Sequence, residues 1–206
     1  MVKDEQQKTA DLYQQYASDS IAFIENVCGK FVPDCLRPIF QAWDNNSITV
    51  VISATGVGKT WSGAGLTLSS YICQQRPKIF ITAAPPETNL KLLLWNEIRG
   101  FVYSNPGTFK NEKMTQDMLI TPKGEDNDEE KVSRLISGLI IPATGDSYIR
   151  EAKFSGKHAP YLAFSVMRPT VSHPRCSVES KVVCLAASRD GCCFSIRANN
   201  PDQCGI

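Results

Sequence analysis

The stretch from Ile48 to Gln75, "ITVVISATGVGKTWSGAGLTLSSYICQQ", decides the fold. It opens with Ile48–Ser53, a short β-branched apolar run that is typical of a buried parallel strand. A glycine-containing segment follows, and the pattern then predicts a helix that starts near Lys59. A strand, a glycine turn and a helix in this order predict the first unit of a parallel α/β protein.

The segment between this strand and this helix has the pattern of a phosphate-binding loop. It reads "SATGVGKT", Ser53–Thr60. Such a loop turns successive backbone N–H groups inward, and Gly56 and Gly58 supply the backbone freedom that this needs. The helix that follows would point its positive N-terminus at the same phosphates. We therefore predict that this loop binds nucleotide phosphate.

Two side chains of the loop are predicted to take part in the chemistry. Lys59 would reach the β- and γ-phosphates and is the predicted catalytic residue. Thr60 would offer its hydroxyl to the Mg²⁺ of ATP. One departure from the usual motif is Ser53, which stands where the first glycine is usual. The predicted nucleotide-binding residues of the loop are Ser53, Ala54, Thr55, Gly56, Val57, Gly58, Lys59 and Thr60.

The alternation of strands and helices continues after the loop. A second buried strand is predicted at "KIFITAA", Lys78–Ala84, where Pro85 and Pro86 end it. An amphipathic helix is predicted over Glu87–Val102. The order strand, helix, strand, helix predicts an α/β fold with a parallel sheet flanked by helices.

Residues 1–47 form a predicted helical segment ahead of this core. Asp19 or Ser18 would cap a helix through Ser20–Phe31, and a second short helix starts in Leu36–Trp43. The core itself is predicted to cover residues 48–166.

The second half of the core has a less regular pattern. The acidic stretch Lys123–Lys131 is typical of a solvated loop. Short strands are predicted within Arg134–Gly156, with turns at Gly138 and at Gly145-Asp146. An apolar strand is predicted from Tyr161 to Val166.

The composition is that of an ordinary globular protein. The chain has 206 residues, of which 42% are hydrophobic and 21% charged, with a net charge of +1. No apolar run is long enough for a membrane span, so we expect no membrane-spanning segment.

The chain has eight cysteines. Nothing indicates secretion, so these cysteines are not expected to form a disulfide framework. They also lack the paired spacing of a zinc site. Five of them crowd the last 40 residues: Cys176, Cys184, Cys192, Cys193 and Cys204.

Several stretches, taken in order, resemble the large terminase subunit, the ATPase motor that packages DNA in tailed phages and related viruses. Besides the loop, these are "LRPIFQAW", "ITAAPPETNLKLLLWNEIR" and "LIIPATGDSYIREAKFSGKHAPYLAFSV". The resemblance covers Ser18–Val166 and implies a P-loop NTPase fold of the RecA/ASCE type. It nominates Gln41 as a contact to adenine, with an exposed helix glutamine as the equal alternative. It also makes Arg150 and Lys153 candidates for phosphate or DNA contacts, although such charges are more often simply solvated.

The resemblance also implies cofactors, partners and a location. ATP and Mg²⁺ would be the cofactors. Double-stranded DNA, a portal protein and the small terminase subunit would be the partners, and copies of the motor would form a ring. The location would be the cytoplasm of the host cell, and no membrane is implied.

The chain departs from the family where a strand-end aspartate and glutamate are expected. After Val166 it reads Met167, Arg168 and Pro169 instead of acids. Reading the last base of each codon with the first two of the next, with permitted synonymous codons, gives "DEADGVPPEVFRGIESCMSGG" after Val166. The same frame gives "FFNPR" in place of Cys193–Ala198, which resembles the family's coupling motif.

The hypothesis that follows is that residues 167–206 are out-of-frame translation fused to a genuine but incomplete ATPase segment. A real, divergent tail is the alternative. The fusion would leave the sheet without its later strands and would make the chain poorly soluble and catalytically impaired. Three other functions stay open: a helicase-type ATPase, a non-catalytic nucleotide-binding or scaffolding protein with a cysteine-rich tail, and a purely structural glycine loop.

Overall fold

The chain folds as helices packed on a mixed β-sheet. The computed structural model describes residues 12–54, 56–73, 78–84, 89–122, 132–140, 161–169 and 180–188. The described strands are β1 Ile48–Ala54, β2 Lys78–Ala84, β3 Lys113–Met114, β4 Met118–Pro122, β5 Val132–Ile140, β6 Tyr161–Pro169 and β7 Ser180–Ser188. The helices are α1 Ser20–Ala22 with a π-helical turn Phe23–Val27, α2 Arg37–Asn45, α3 Lys59–Cys73, and α4 Trp95–Ser104 preceded by a π-helical segment Asn89–Leu94. None of these described helices is long and apolar enough to cross a bilayer.

The sheet has the strand order β1-β7-β6-β2-β5-β4-β3. β2 pairs parallel with β5 and with β6, whereas β7 is antiparallel to both β1 and β6. It follows that β1, β6, β2 and β5 all run in the same direction. The α/β class is thus confirmed, but the prediction of a parallel sheet is only partly correct. β7 and β4 run in the opposite direction to their neighbours and make the sheet mixed.

The sequence predicted a sheet that is incomplete after Val166, but the described sheet continues beyond this residue. β6 continues to Pro169, and β7 fills the position between β6 and β1. The prediction that the sheet lacks later strands was wrong, because the nine-residue strand β7 pairs with both β1 and β6. The frameshift hypothesis concerns the coding DNA and remains a prediction.

Local signals located most of the described elements. The Asp19 side chain accepts a hydrogen bond from the Ala22 amide (2.9 Å), which makes it the predicted N-cap. The positions of the strands at 48–53 and 78–84 and the helix start at Lys59 are confirmed. The prediction that the first of these strands is buried was wrong, because β1 lies at one edge of the described sheet and leaves Ile48 and Val50 more than half exposed. Among the described strands it pairs only with β7, which is antiparallel to it. The turn predicted at Gly138 was wrong, because β5 runs through it. The predicted loop 123–131 and the turn at 145–146 lie outside the described residues.

The core lies between the sheet and one layer of helices. Its largest fully buried side chains are Trp95, Tyr71, Phe23, Phe40, Phe80 and Phe101. α3 is buried from Ser62 to Cys73, because α1, α2 and α4 all pack around it. The N-terminal helices are therefore part of the same core as the loop and its helix.

The buried Cys28 of the π-helical turn is a structural thiol. Burial raises its pKa from 9.0 to about 12, and the nearby Lys30 ammonium opposes this rise only in part. Cys28 is therefore protonated and unreactive at neutral pH. It is not a candidate nucleophile.

Candidate phosphate-binding loop

Two glycines of the loop between β1 and α3 have positive φ angles. Gly56 has φ +86° and Gly58 has φ +97°, both in the region that glycine adopts and other residues avoid. A glycine at each of these positions is what the sequence motif predicted. Thr55 lies outside the described residues, while Ser53 and Ala54 are the last residues of β1.

The amides of the first turn of α3 have no partner within the helix itself. The first backbone hydrogen bond of the helix runs from the Ser62 amide to the Gly58 carbonyl (2.9 Å). The amides of the first turn, which come before Ser62, are directed out of the helix end rather than into its interior. The Ser62 hydroxyl donates to the same Gly58 carbonyl (3.1 Å), which fixes the helix start. Amides and the helix dipole together favour negative charge at this point.

The predicted lysine and threonine sit at the base of the loop. Lys59 is the first residue of α3 and is 6% exposed, an unusual degree of burial for a lysine. Thr60 is half-buried, and Val57 at the tip of the loop is exposed. This arrangement brings a cation and a hydroxyl to the place where the phosphates and their metal would lie.

The loop is supported by a contact between Gly58 and Leu36 that the sequence did not indicate. A Cβ atom placed on Gly58 would come within 3.0 Å of Leu36 Cδ1, at the residue that precedes α2. No local pattern signals this contact, because the two residues are 22 positions apart and meet only in the folded chain. Gly58 is thus needed both for its φ angle and for the space beside Leu36.

Aromatic side chains anchor the first turn of α3 to the neighbouring helices. The ring of Trp61 lies 6.1 Å from Phe40 on α2 and 5.5 Å from Phe101 on α4, between ring centroids. Lys30 Nζ lies 5.1 Å from the centroid of the Phe101 ring, on the same packed layer. The loop pattern predicts no role for Trp61, and its position directly after Thr60 is the one local signal for it.

The other predicted site residues are not brought to the loop. Gln41 is exposed on α2, and its carbonyl accepts a hydrogen bond from Asn45 Nδ2 (2.8 Å). None of the described contacts joins its side chain to the loop, so an adenine contact stays a prediction. Arg150 and Lys153 lie outside the described residues.

The carboxyl end of β6 lies level with the beginning of the loop. Through β7, Arg168 is in register with Ile52 and Pro169 with Ser53. Two strand spacings separate β6 from β1, which is about 10 Å. The last three residues of β6 are Met167, Arg168 and Pro169, so this end of the strand offers no carboxylate to a metal. No group of three or more potential metal ligands occurs elsewhere among the described residues.

ATP and Mg²⁺ therefore fit the site unequally. The glycine angles, the amides at the start of α3 and Lys59 are compatible with a phosphate group. Among the described residues of the site, only the hydroxyl of Thr60 could serve as a ligand to the metal.

Comparisons with protein-family models, curated proteins and solved structures found no match to this chain. Any function assigned to it therefore has to come from its own residues.

Replacing Gly58 by Ala is expected to damage both the loop and the fold. The new methyl group would sit at a positive φ and press on Leu36, so we expect the free energy of unfolding to fall by about 1–3 kcal/mol. Urea unfolding followed by circular dichroism measures the change. Gly100→Ala is the matched control, because Gly100 lies within α4 with open space around its Cβ position. This control should gain about 0.5–1 kcal/mol. Equal effects at the two positions would contradict the strained geometry of the loop.

Proposed function

We propose that this chain binds ATP through the loop Ser53–Thr60 and is the nucleotide-binding part of a terminase-like DNA-packaging motor, impaired in hydrolysis. The observation that carries the proposal is the loop itself, with Gly56 and Gly58 at positive φ directly before a helix that starts at Lys59. The amides of the loop hold the triphosphate, and Lys59 neutralises its charge.

The impairment follows from what stands at the end of β6. A bound Mg²⁺ would supply positive charge that offsets the negative charge developing on the phosphates. Thr60 would contribute one ligand to it. An acid that fixes the metal shell and one that orients water belong near the end of a neighbouring parallel strand, where this chain has Met167 and Arg168. Losing both groups removes several kcal/mol of transition-state stabilisation, so binding without turnover is expected.

The frameshift hypothesis gains support from the same geometry. The shifted frame supplies aspartate and glutamate at positions 167 and 168, which are level with Val51 and Ile52 on the loop-bearing strand. The coding DNA around codon 166 tests this part, and codons that cannot give the shifted sequence would end it without affecting the loop.

The partners of the motor follow from the resemblance. They are double-stranded DNA, a portal protein, the small terminase subunit and further copies in a ring, in the cytoplasm of a host cell. ATP turnover in an intact relative would drive a small movement between subdomains and draw DNA into a shell.

Competition binding with a fluorescent ATP analogue tests the proposal. Because the site holds phosphate rather than base, ATP and inorganic tripolyphosphate should both displace the analogue, whereas adenosine should not. Phosphate release should stay at the level of buffer alone. Displacement by adenosine but not by tripolyphosphate would refute a phosphate loop, and phosphate release that Lys59→Met abolishes would refute the impairment.

A further inference from the structure

The strand β1 forms one edge of the described sheet. It pairs with β7 along all seven residues without any register shift, and no described strand lies on its other side. The opposite edge is very different. There β3 has only two residues, one of which is the exposed Lys113. Short edges and lysines are the usual protection against pairing with another chain, and β1 has neither.

The composition around β1 also lacks this protection. From Asn45 to Gly58 the chain has no charged residue and no proline. On one face of the strand, Ile48 and Val50 are 51% and 56% exposed. On the other face Thr49 is buried, and its hydroxyl has no hydrogen-bond partner among the described residues. A regular, uncharged, β-branched edge of this kind is a template for a further strand.

We propose that β1 pairs with β1 of a second copy of this chain, in an antiparallel arrangement that joins the two sheets. A strand edge that meets its own copy across a two-fold axis is necessarily antiparallel, and this contact closes a dimer. Centred on Val51, the pairing sets Ile48 opposite Ala54 and Val50 opposite Ile52. These apolar and β-branched cross-strand pairs are favourable.

The charge of the chain favours a second copy as the occupant. A net charge of +1 provides little repulsion between copies, and the edge itself has no charges that would oppose each other when β1 meets β1. The two-fold axis places the two loops at opposite ends of the joined strands.

Sedimentation velocity over about 1–100 µM tests the proposal on the full chain. The unsubstituted chain should shift from monomer to dimer with concentration. Val50→Lys places a charge on the edge and should weaken the association by at least about ten-fold. The control is Leu92→Lys, at a leucine that is 68% exposed on the segment before α4, and it should leave the association unchanged. If Val50→Lys loses its circular dichroism spectrum, Ile48→Lys takes its place, because Ile48 is the other exposed side chain on this face of β1.

Amide hydrogen exchange supplies a measurement that needs no substitution. The outward-facing amides of β1 should exchange more slowly as the protein concentration rises, while amides of β3 should not change. A monomer at all concentrations would overturn the proposal, and so would equal association of the Val50 and Leu92 variants. β1 amides that are protected in a monomer would also overturn it, because another segment of the same chain would then cover the edge.

Discussion

Lys59→Met is expected to reduce ATP affinity by about 10–100-fold while leaving the fold intact. The lysine is the first residue of α3 and is nearly buried at the base of the loop, so its charge acts on a bound phosphate with little screening by water. A hydrogen bond to a charged group contributes about 1.5–3 kcal/mol, which corresponds to the expected range. Titration of a fluorescent ATP analogue, followed by competition with ATP, measures the affinity.

The control for this substitution is Lys113→Met. Lys113 is an exposed lysine at the far edge of the sheet, so the same loss of charge should leave the affinity unchanged. Thermal unfolding without nucleotide should show that both variants are folded. With ATP present, the unsubstituted chain and the Lys113 variant should unfold at higher temperatures, and the Lys59 variant should not. Equal affinities for the two variants would remove Lys59 from the site.

Trp95→Ala is expected to destabilise the fold by about 3–5 kcal/mol, the largest single effect on stability. The indole is fully buried and lies against the sheet at Gly138, where a Cβ atom would come within 2.9 Å of Trp95 Nε1. That nitrogen donates a hydrogen bond to Thr82 Oγ1 (3.0 Å), and the Thr82 hydroxyl donates to the Ser137 carbonyl (3.2 Å). Removing the indole leaves a large cavity and takes away the donor to a buried hydroxyl.

Urea unfolding of two further variants separates these contributions. Trp95→Phe keeps most of the ring volume but loses the donor, so it should cost about 1–3 kcal/mol. Tyr103→Ala removes an aromatic ring from the same helix at a position that is 71% exposed, and its effect should stay within about 0.5 kcal/mol. A small effect of Trp95→Ala would mean that α4 does not pack on β2 and β5 as described.

The sequence by itself determined the central unit of this protein. The β-branched run, the two glycines and Lys59 are local signals, and they placed β1, the loop and the start of α3 correctly. The cap at Asp19 and the strand at Lys78–Ala84 were predicted for the same reason. In each case, the residues that fix the conformation are neighbours in the chain.

Only the tertiary structure decided how these elements meet. Strand order and direction depend on pairing between distant segments, so local patterns could not show that β7 is antiparallel between β1 and β6. Gly138 is a turn residue by local rules, but it lies within β5 because Trp95 needs the space that a side chain would fill. The contact of Gly58 with Leu36 and the place of β1 at one edge of the described sheet likewise depend on distant segments, so no single stretch of sequence encodes them.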